Sequence, residues 1–80
     1  MSAVDRLLSL TCADLVVRKT ASGKLYVFYE NGFIKEGIAL VAVSGDGETF
    51  EEACEAYYNA ISGKTLVLML PSGRKEITVL

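Results

Sequence analysis

Five acidic side chains fall within ten consecutive residues, and no basic residue interrupts them. They are Asp46, Glu48, Glu51, Glu52 and Glu55. Paired carboxylates can act as general acid and base when an apolar neighbour raises one pKa. No apolar surrounding is predicted for Glu51 and Glu52, so a catalytic role is disfavoured. The pattern indicates electrostatic contact with a basic partner, imitation of nucleic-acid phosphates, or a solvated helix face whose acids suit the helix dipole.

Other reactive residue types are scarce in the chain. It has no histidine, the commonest general base, and only two cysteines, Cys12 and Cys54. Both cysteines occupy apolar positions of predicted helices, so we expect buried free thiols and no zinc site. Gly45-Asp46-Gly47 lacks the Gly-Lys-Thr ending of a phosphate-binding loop, and we interpret it as a tight turn. We therefore expect no enzymatic activity, no metal and no cofactor.

Aromatic residues are concentrated around one predicted strand, at Tyr26, Phe28, Tyr29 and Phe33. Alternation along the strand places Tyr26 and Phe28 on one face and Tyr29 on the other. If Tyr29 packs under the helices, the other two face outward. There they could stack on single-stranded nucleic acid or anchor a protein partner. The net charge of −2 disfavours nucleic acid, whose phosphates supply most binding affinity, and favours a protein.

The elements that position these residues follow from local patterns. Ser2 and Asp5 predict the start of a helix that runs from about Ala3 to Thr11. Asn31-Gly32 predicts a type I′ turn between two paired strands. Strands are predicted at Leu15–Thr20, Leu25–Glu30, Phe33–Val43 with a bend at Gly37, Thr65–Leu70, and Lys75–Leu80 after a Pro71-Ser72-Gly73 turn.

A second helix is the most strongly predicted element. Thr49 and Glu52 form a capping box, and Ser62-Gly63 ends the helix with glycine in the left-handed conformation. Its apolar residues recur at helical spacing and define one buried stripe, formed by Phe50, Ala53, Cys54, Tyr57 and Ile61.

These elements predict one α+β domain over residues 1–80, in the order α-β-β-β-α-β-β, with two helices on one face of an antiparallel sheet. The runs 38–43 and 66–70 do not alternate, so both strands should be covered on both faces. We therefore expect a homodimer through the sheet face opposite the helices or through an edge of the second hairpin.

No run approaches the roughly 20 residues that span a bilayer, and no signal peptide is evident, so we expect a cytoplasmic protein without a membrane partner.

The segment from Gly45 to Ala53, Gly-Asp-Gly-Glu-Thr-Phe-Glu-Glu-Ala, resembles HicB-type antitoxins, as does its continuation to Ile61. In that family a strand ends in a Gly/Asp turn, and Thr-x-Glu-Glu-Ala opens a helix against a three-stranded sheet. The resemblance covers roughly residues 25–61. The sequence lacks the DNA-binding segment that HicB proteins usually carry. The resemblance does not extend to Leu66–Leu80.

The stretch Ile61–Val67 is similar to small proteins of bacterial phages and prophages. That resemblance implies a non-enzymatic inhibitor of a bacterial host protein, such as a CRISPR or other defence component. A HicB-like antitoxin that masks a small toxin and a single-stranded nucleic-acid-binding module are the alternatives. The partner-binding residues that we predict are Asp46, Glu48, Glu51, Glu52, Glu55, Tyr26, Phe28 and Tyr58.

Overall fold

The N-terminal helix begins at the predicted cap. The computed structural model describes residues 2–11 and 13–80. Helix α1 spans Ala3–Leu10, and the Ser2 hydroxyl accepts a hydrogen bond of 3.2 Å from the Asp5 amide. Leu7 is fully buried on its inner side. Cys12 lies outside the described residues, so its burial stays a prediction.

The second helix, α2, spans Phe50–Ile61 and matches its predicted boundaries. Thr49 caps it by accepting a hydrogen bond of 3.2 Å from the Glu52 amide. The Glu52 carboxylate accepts a hydrogen bond of 3.0 Å from the Glu48 amide. In a capping box it would accept this bond from the amide of the cap residue, Thr49. Gly63 follows the helix with φ +77°. The predicted stripe is confirmed, since four of its residues are fully buried and Phe50 packs partly buried against them.

The described residues form seven strands, all paired antiparallel, in two sheets. The strands are β1 Leu15–Lys19, β2 Leu25–Tyr29, β3 Gly32–Glu36, β4 Ala39–Val41, β5 Gly45–Gly47, β6 Thr65–Leu70 and β7 Gly73–Thr78. One sheet has the order β1-β2-β5 and the other β4-β3-β6-β7. The α+β class, the two helices and the antiparallel pairing are confirmed. The chain departs from the predicted order by placing five strands, not three, between the helices.

The predicted hairpin at Asn31-Gly32 is wrong, because β2 and β3 belong to different sheets. A type I′ turn requires positive φ at both central residues. Asn31 has φ 57°, whereas Gly32 does not have a positive φ. Gly32 instead lies close to Tyr29, and a Cβ added there would be 2.9 Å from the Tyr29 Cβ. The pair therefore carries the chain from one sheet to the other.

The run 38–43 is not a doubly covered strand. The chain turns at Gly37-Ile38, where Gly37 has φ 62° and Glu36 pairs with Ala39, so the predicted bend is a two-residue hairpin. Strand β4 then forms an exposed edge, and Ile38 is fully exposed at its tip. The other apolar run, 66–70, is covered on both faces only over Leu66–Leu68, which are fully buried in the inner strand β6, whereas Met69 is 44% exposed.

Gly45-Asp46-Gly47 is a strand and not the predicted turn. It pairs with β2 and lies under α2, so that a Cβ on Gly45 would overlap the Tyr57 amide nitrogen and the Ala53 carbonyl oxygen. A Cβ on Gly47 would be 2.6 Å from the Glu52 Cβ. The two glycines are needed because the helix backbone packs directly on the strand backbone.

One apolar core joins both sheets and both helices. It consists of Leu7, Val27, Tyr29, Ile34, Ala53, Cys54, Tyr57, Ile61, Leu66, Leu68 and Val79. Val67 is buried on the other face of β6, where Phe33 and Glu76 are its cross-strand neighbours. A Lys35–Glu76 ion pair of 3.5 Å lies on the same face, so the chain itself covers part of the face that we predicted to need a partner. No helix in the described residues is long and apolar enough to cross a membrane.

Candidate functional site

Tyr26 and Phe28 lie on the face of β2 opposite Val27 and Tyr29, as predicted from alternation. Their neighbours in the strand, Val27 and Tyr29, are buried, whereas Tyr26 and Phe28 are each half-buried. The two rings stack with centroids 6.0 Å apart and an interplanar angle of 16°. This stacking presents a flat aromatic surface at the border of the hydrophobic core, against which Phe28 is packed.

The two rings form one wall of an open pocket of about 320 Å³. We call it the aromatic pocket; its lining residues are Tyr26, Phe28, Tyr29, Asn31, Gly32, Phe33, Ala42, Val43 and Ser44. The pocket forms where the chain crosses between the two sheets, at residues 31–33 and again at residues 42–44. Its volume lies at the lower end of the range for ligand-binding clefts, about 300–1,000 Å³.

Asp46 joins the aromatic pocket to the acidic residues. It pairs directly with Tyr26 across the β2–β5 ladder, and directly opposed residues have Cβ atoms roughly 5 Å apart. Gly45 and Gly47 face α2, so alternation directs the Asp46 side chain to the same face as Tyr26. The next residues along the chain, Glu48 and the first turn of α2, extend the negative charge from this point.

We call the five predicted acids, Asp46, Glu48, Glu51, Glu52 and Glu55, the acidic surface. All five are solvent-exposed. The three ion pairs among the described residues, Lys35–Glu76, Lys64–Glu36 and Arg74–Glu76, involve none of them. Glu51 and Glu52 lie in the first turn of α2, where the helix dipole stabilises negative charge. Glu52 also has the capping hydrogen bond to Glu48, so part of its role is structural.

Tyr58 is not part of this site. Its hydroxyl donates a hydrogen bond of 2.7 Å to the Leu80 carbonyl oxygen, and the Arg6 guanidinium lies 5.5 Å from its ring centroid. These contacts join α1, α2 and the residues after β7. The structure thus places Tyr58 in contacts within the protein, apart from the pocket that Tyr26 and Phe28 line.

The described residues contain no metal-binding cluster, and their buried reactive groups are one cysteine and two tyrosines. They contain no group of three or more Cys, Asp or Glu side chains placed to hold a metal ion. Cys54 is a free, fully buried cysteine, and burial raises the pKa of its thiol, which disfavours the nucleophilic thiolate. Tyr29 and Tyr57 have hydroxyls inside the core, where each is hydrogen-bonded.

The sequence pattern predicts which face of β2 carries Tyr26 and Phe28. It does not predict the residues across the aromatic pocket from them. Ala42 and Val43 belong to the predicted strand Phe33–Val43, and Ser44 follows that strand, so the sequence pattern does not indicate that these residues line a pocket. They complete the pocket only because the chain leaves β4 and crosses to the other sheet. Phe33 belongs to the aromatic cluster of the sequence, and this clustering is the sequence feature that indicates the pocket.

Comparison with known protein families, with curated proteins and with solved structures finds no significant match for this chain.

Proposed function

We propose that this protein is a non-enzymatic protein-binding module. It contacts a basic surface of its partner through the acidic surface and an apolar anchor of that partner through Tyr26 and Phe28. The observation that carries the proposal is the Tyr26–Asp46 pairing, because it places an exposed carboxylate directly beside the stacked rings, two residues before Glu48 and close in sequence to the first turn of α2. The stacked rings alone, or the exposed carboxylates alone, would be weaker support for a partner-binding surface.

The arrangement resembles the anatomy of specific protein interfaces. Such interfaces combine an aromatic-rich centre, whose few anchoring residues supply most of the binding energy, with a polar rim. Here Tyr26 and Phe28 supply the centre, and the carboxylates beginning at Asp46 supply one side of the rim. Unpaired rim charges accelerate the encounter with a partner of opposite charge and exclude partners of like charge.

The same pairing argues against single-stranded nucleic acid as the partner. A base stacked on Tyr26 would bring its phosphates close to the Asp46 carboxylate. Arg18, on the other side of Tyr26 in the ladder, is the single base paired directly with this ring. Because phosphate neutralisation supplies most nucleic-acid affinity, one arginine beside an acidic rim is a poor substitute for a basic groove.

The class of partner follows from the resemblances in the sequence and stays a prediction. We propose a phage- or prophage-type inhibitor that occupies a surface of a bacterial host protein, such as a CRISPR component. The alternative is a HicB-like antitoxin that masks a small toxin. Co-expression distinguishes them: an inhibitor restores transformation in cells with an active CRISPR system, whereas an antitoxin rescues growth from a co-expressed toxin.

The test of binding uses charge reversals that leave the helix cap intact. Glu51→Lys with Glu55→Lys is preferable to any change at Glu52, because Glu52 holds the Glu48 amide. The matched control is Asp14→Lys with Glu30→Lys, which alters the net charge equally at exposed positions outside α2 and β5 and breaks none of the three ion pairs. Each tagged protein is used to capture host proteins, and the affinity of any purified partner is then measured by calorimetry.

We expect the acidic-surface variant to bind its partner at least about tenfold more weakly than the wild type. The control variant should bind within about twofold of the wild type, and both variants should keep the wild-type circular dichroism. Equal affinity for the wild type and the acidic-surface variant would rule out the acidic surface as the contact. A comparable loss in the control would show that only net charge matters.

A further inference from the structure

The three-stranded sheet β1-β2-β5 has one face that is turned away from α2. Gly45 and Gly47 of β5 lie against α2, and Val27, which pairs with Gly45, is fully buried on the same side. Their neighbours along the chain, Tyr26 and Asp46, therefore lie on the opposite side by alternation. We call that side the outer face of the three-stranded sheet.

One row of side chains across the outer face consists of a base, an aromatic ring and an acid. Arg18 of β1 pairs with Tyr26, and Tyr26 pairs with Asp46 of β5, so the three residues stand side by side on one face. Arg18 and Asp46 are exposed, and neither takes part in the ion pairs of the described residues. A positive and a negative charge are thus held on either side of the ring, about two strand spacings or roughly 10 Å apart.

A two-fold axis parallel to the strands makes this row complementary to itself. Such an axis reverses the order β1-β2-β5 in the second copy and leaves β2 opposite β2. Arg18 of each copy then lies opposite Asp46 of the other, and Tyr26 lies opposite Tyr26 of the second copy. A two-fold axis perpendicular to the strands would instead set Arg18 against Arg18. The charges therefore favour the first axis.

We propose that this protein forms a symmetric homodimer in which the outer faces of two copies pack on each other about this axis. Packed sheets commonly keep their strand directions within about 30° of each other, as this axis requires. The stacked rings of Tyr26 and Phe28 from both copies form the apolar centre of the interface. Two contacts between Arg18 and Asp46, one on each side of the rings, set the alignment of the copies.

The order of charges in the row is what identifies a second copy as the occupant. A partner with one sign of charge along the whole row would be repelled at Arg18 or at Asp46. A partner with the reverse order is attracted at both, and this chain presents that order itself. Lys24 and Glu30 lie just beyond the ends of β2, at the rim of the interface, where solvent screens the like charges of the two copies.

The dimer goes beyond the proposed function and does not depend on it. Three strands of at most five residues present on the order of 250 Å² of sheet plane, so the buried area falls below the roughly 1,200 Å² of standard stable interfaces. The dimer is therefore a concentration-dependent equilibrium. Because it uses Tyr26 and Phe28, it excludes any complex in which another protein occupies these rings.

Sedimentation equilibrium of the full chain alone, from low micromolar to near-millimolar concentration, measures the dimer. The mass should rise with concentration from 8.6 kDa towards twice that value. Salt screens the contacts between Arg18 and Asp46, so the dissociation constant should increase severalfold between roughly 50 mM and 500 mM NaCl. The measurement contains no other protein, so its result is independent of whether the proposed partner exists.

Charge reversals test the alignment of the two copies. Arg18→Asp and Asp46→Arg each convert both contacts into like-charge contacts, so each should weaken the dimer at least about tenfold. The double variant Arg18→Asp/Asp46→Arg restores two opposite-charge contacts and should dimerise within about threefold of the wild type. An equimolar mixture of the two single variants should also form dimers, because each supplies the charges that the other lacks.

Lys19→Asp is the matched control, because it makes the same charge change at the next exposed residue of β1, whose side chain lies on the other face. It should leave the dissociation constant within about twofold of the wild type. A monomer at every concentration would overturn the proposal, as would a dimer that both single reversals leave intact. Loss of the dimer in both single variants without recovery in the double variant and the mixture would also overturn it, since the two charges would then not meet across the interface.

Discussion

Tyr29 and Tyr57 are the two bulkiest fully buried side chains, and both keep their hydroxyl groups hydrogen-bonded. The Tyr29 hydroxyl donates to the Leu7 carbonyl oxygen, in the last turn of α1, where helix carbonyls lack amide partners. The Tyr57 hydroxyl accepts a hydrogen bond of 3.1 Å from the Tyr29 amide. Their rings meet edge to face with centroids 5.6 Å apart. The pair links β2 to both helices with polar contacts inside an apolar core.

The buried tyrosines predict a loss of stability at alkaline pH. Burial raises the pKa of both hydroxyls above the ordinary value of 10.0, because the phenolate would be desolvated. Below pH 10 both residues are neutral in the folded and unfolded states. Above it the unfolded chain releases protons that the folded chain retains, so the free energy of unfolding falls as pH rises. Urea denaturation at several pH values on both sides of pH 10 measures this slope.

Tyr29→Phe provides the control for that experiment. It removes one of the two raised groups, so the alkaline fall should become shallower, while neutral-pH stability drops by about 1–3 kcal/mol through loss of the bond to Leu7. Tyr26→Phe, on the other face of β2, should leave the stability at neutral pH nearly unchanged. An unchanged alkaline slope in Tyr29→Phe would contradict the assignment.

At the scale of elements, the contact between α2 and β5 decides the geometry of the candidate site. Gly45 and Gly47 allow the helix backbone to approach the strand, and Asp46 between them faces the opposite side beside Tyr26. The close approach therefore fixes which face of β5 carries its one charged side chain. This short strand joins the two parts of the candidate site along the chain, with α2 packed on one face of β5 and the rings beside Asp46 on the other.

Gly45→Ala should be strongly destabilising. Its Cβ would overlap backbone atoms of Tyr57 and Ala53, which cannot rotate away as a side chain can. We expect a loss of about 3 kcal/mol or more, at the upper end of costs for overpacking, measured by urea denaturation. Asp46→Ala is the matched control in the same strand and should cost less than about 1 kcal/mol, because its side chain is exposed. Similar values for the two variants would show that α2 can move away from β5.

At the scale of the whole molecule, two separate sheets behave as parts of one core. No strand of β1-β2-β5 pairs with a strand of β4-β3-β6-β7 among the described residues. The sheets meet through side chains, with Val27 from one and Leu66 from the other in a single buried cluster. This arrangement predicts that neither sheet is stable without the other.

Leu66→Ala tests that coupling. The cavity should lower the free energy of unfolding by about 2–5 kcal/mol. Amide hydrogen exchange should report the same loss at Val27, in the sheet that does not contain the mutation, because the core opens as one unit. Leu8→Ala, at a position 61% exposed, should leave exchange at Val27 nearly unchanged. Loss of protection confined to β3, β6 and β7 would show that the sheets unfold independently.

The local signals in the sequence were enough to locate both helices and most strands. The Ser2 and Thr49 caps, the stripe of α2 and the turns after β1 and β6 each depend on residues a few positions apart. Long-range pairing was not accessible in this way. Asn31-Gly32 is a strong hairpin signal, yet the strands beside it pair elsewhere, and nothing local distinguishes the two outcomes.

By itself the sequence determined which residues are aromatic, acidic or apolar, and which face of a helix or strand each one shares. Only the tertiary structure decided that Tyr26 lies beside Asp46, that Tyr58 is held by Leu80 and Arg6, and that residues 38–43 form an edge rather than a buried strand. The physical reason is that an apolar run has the same pattern whether it lies at the centre of a sheet or at its edge. The difference depends on pairing energies among segments far apart in the chain, which no local pattern records.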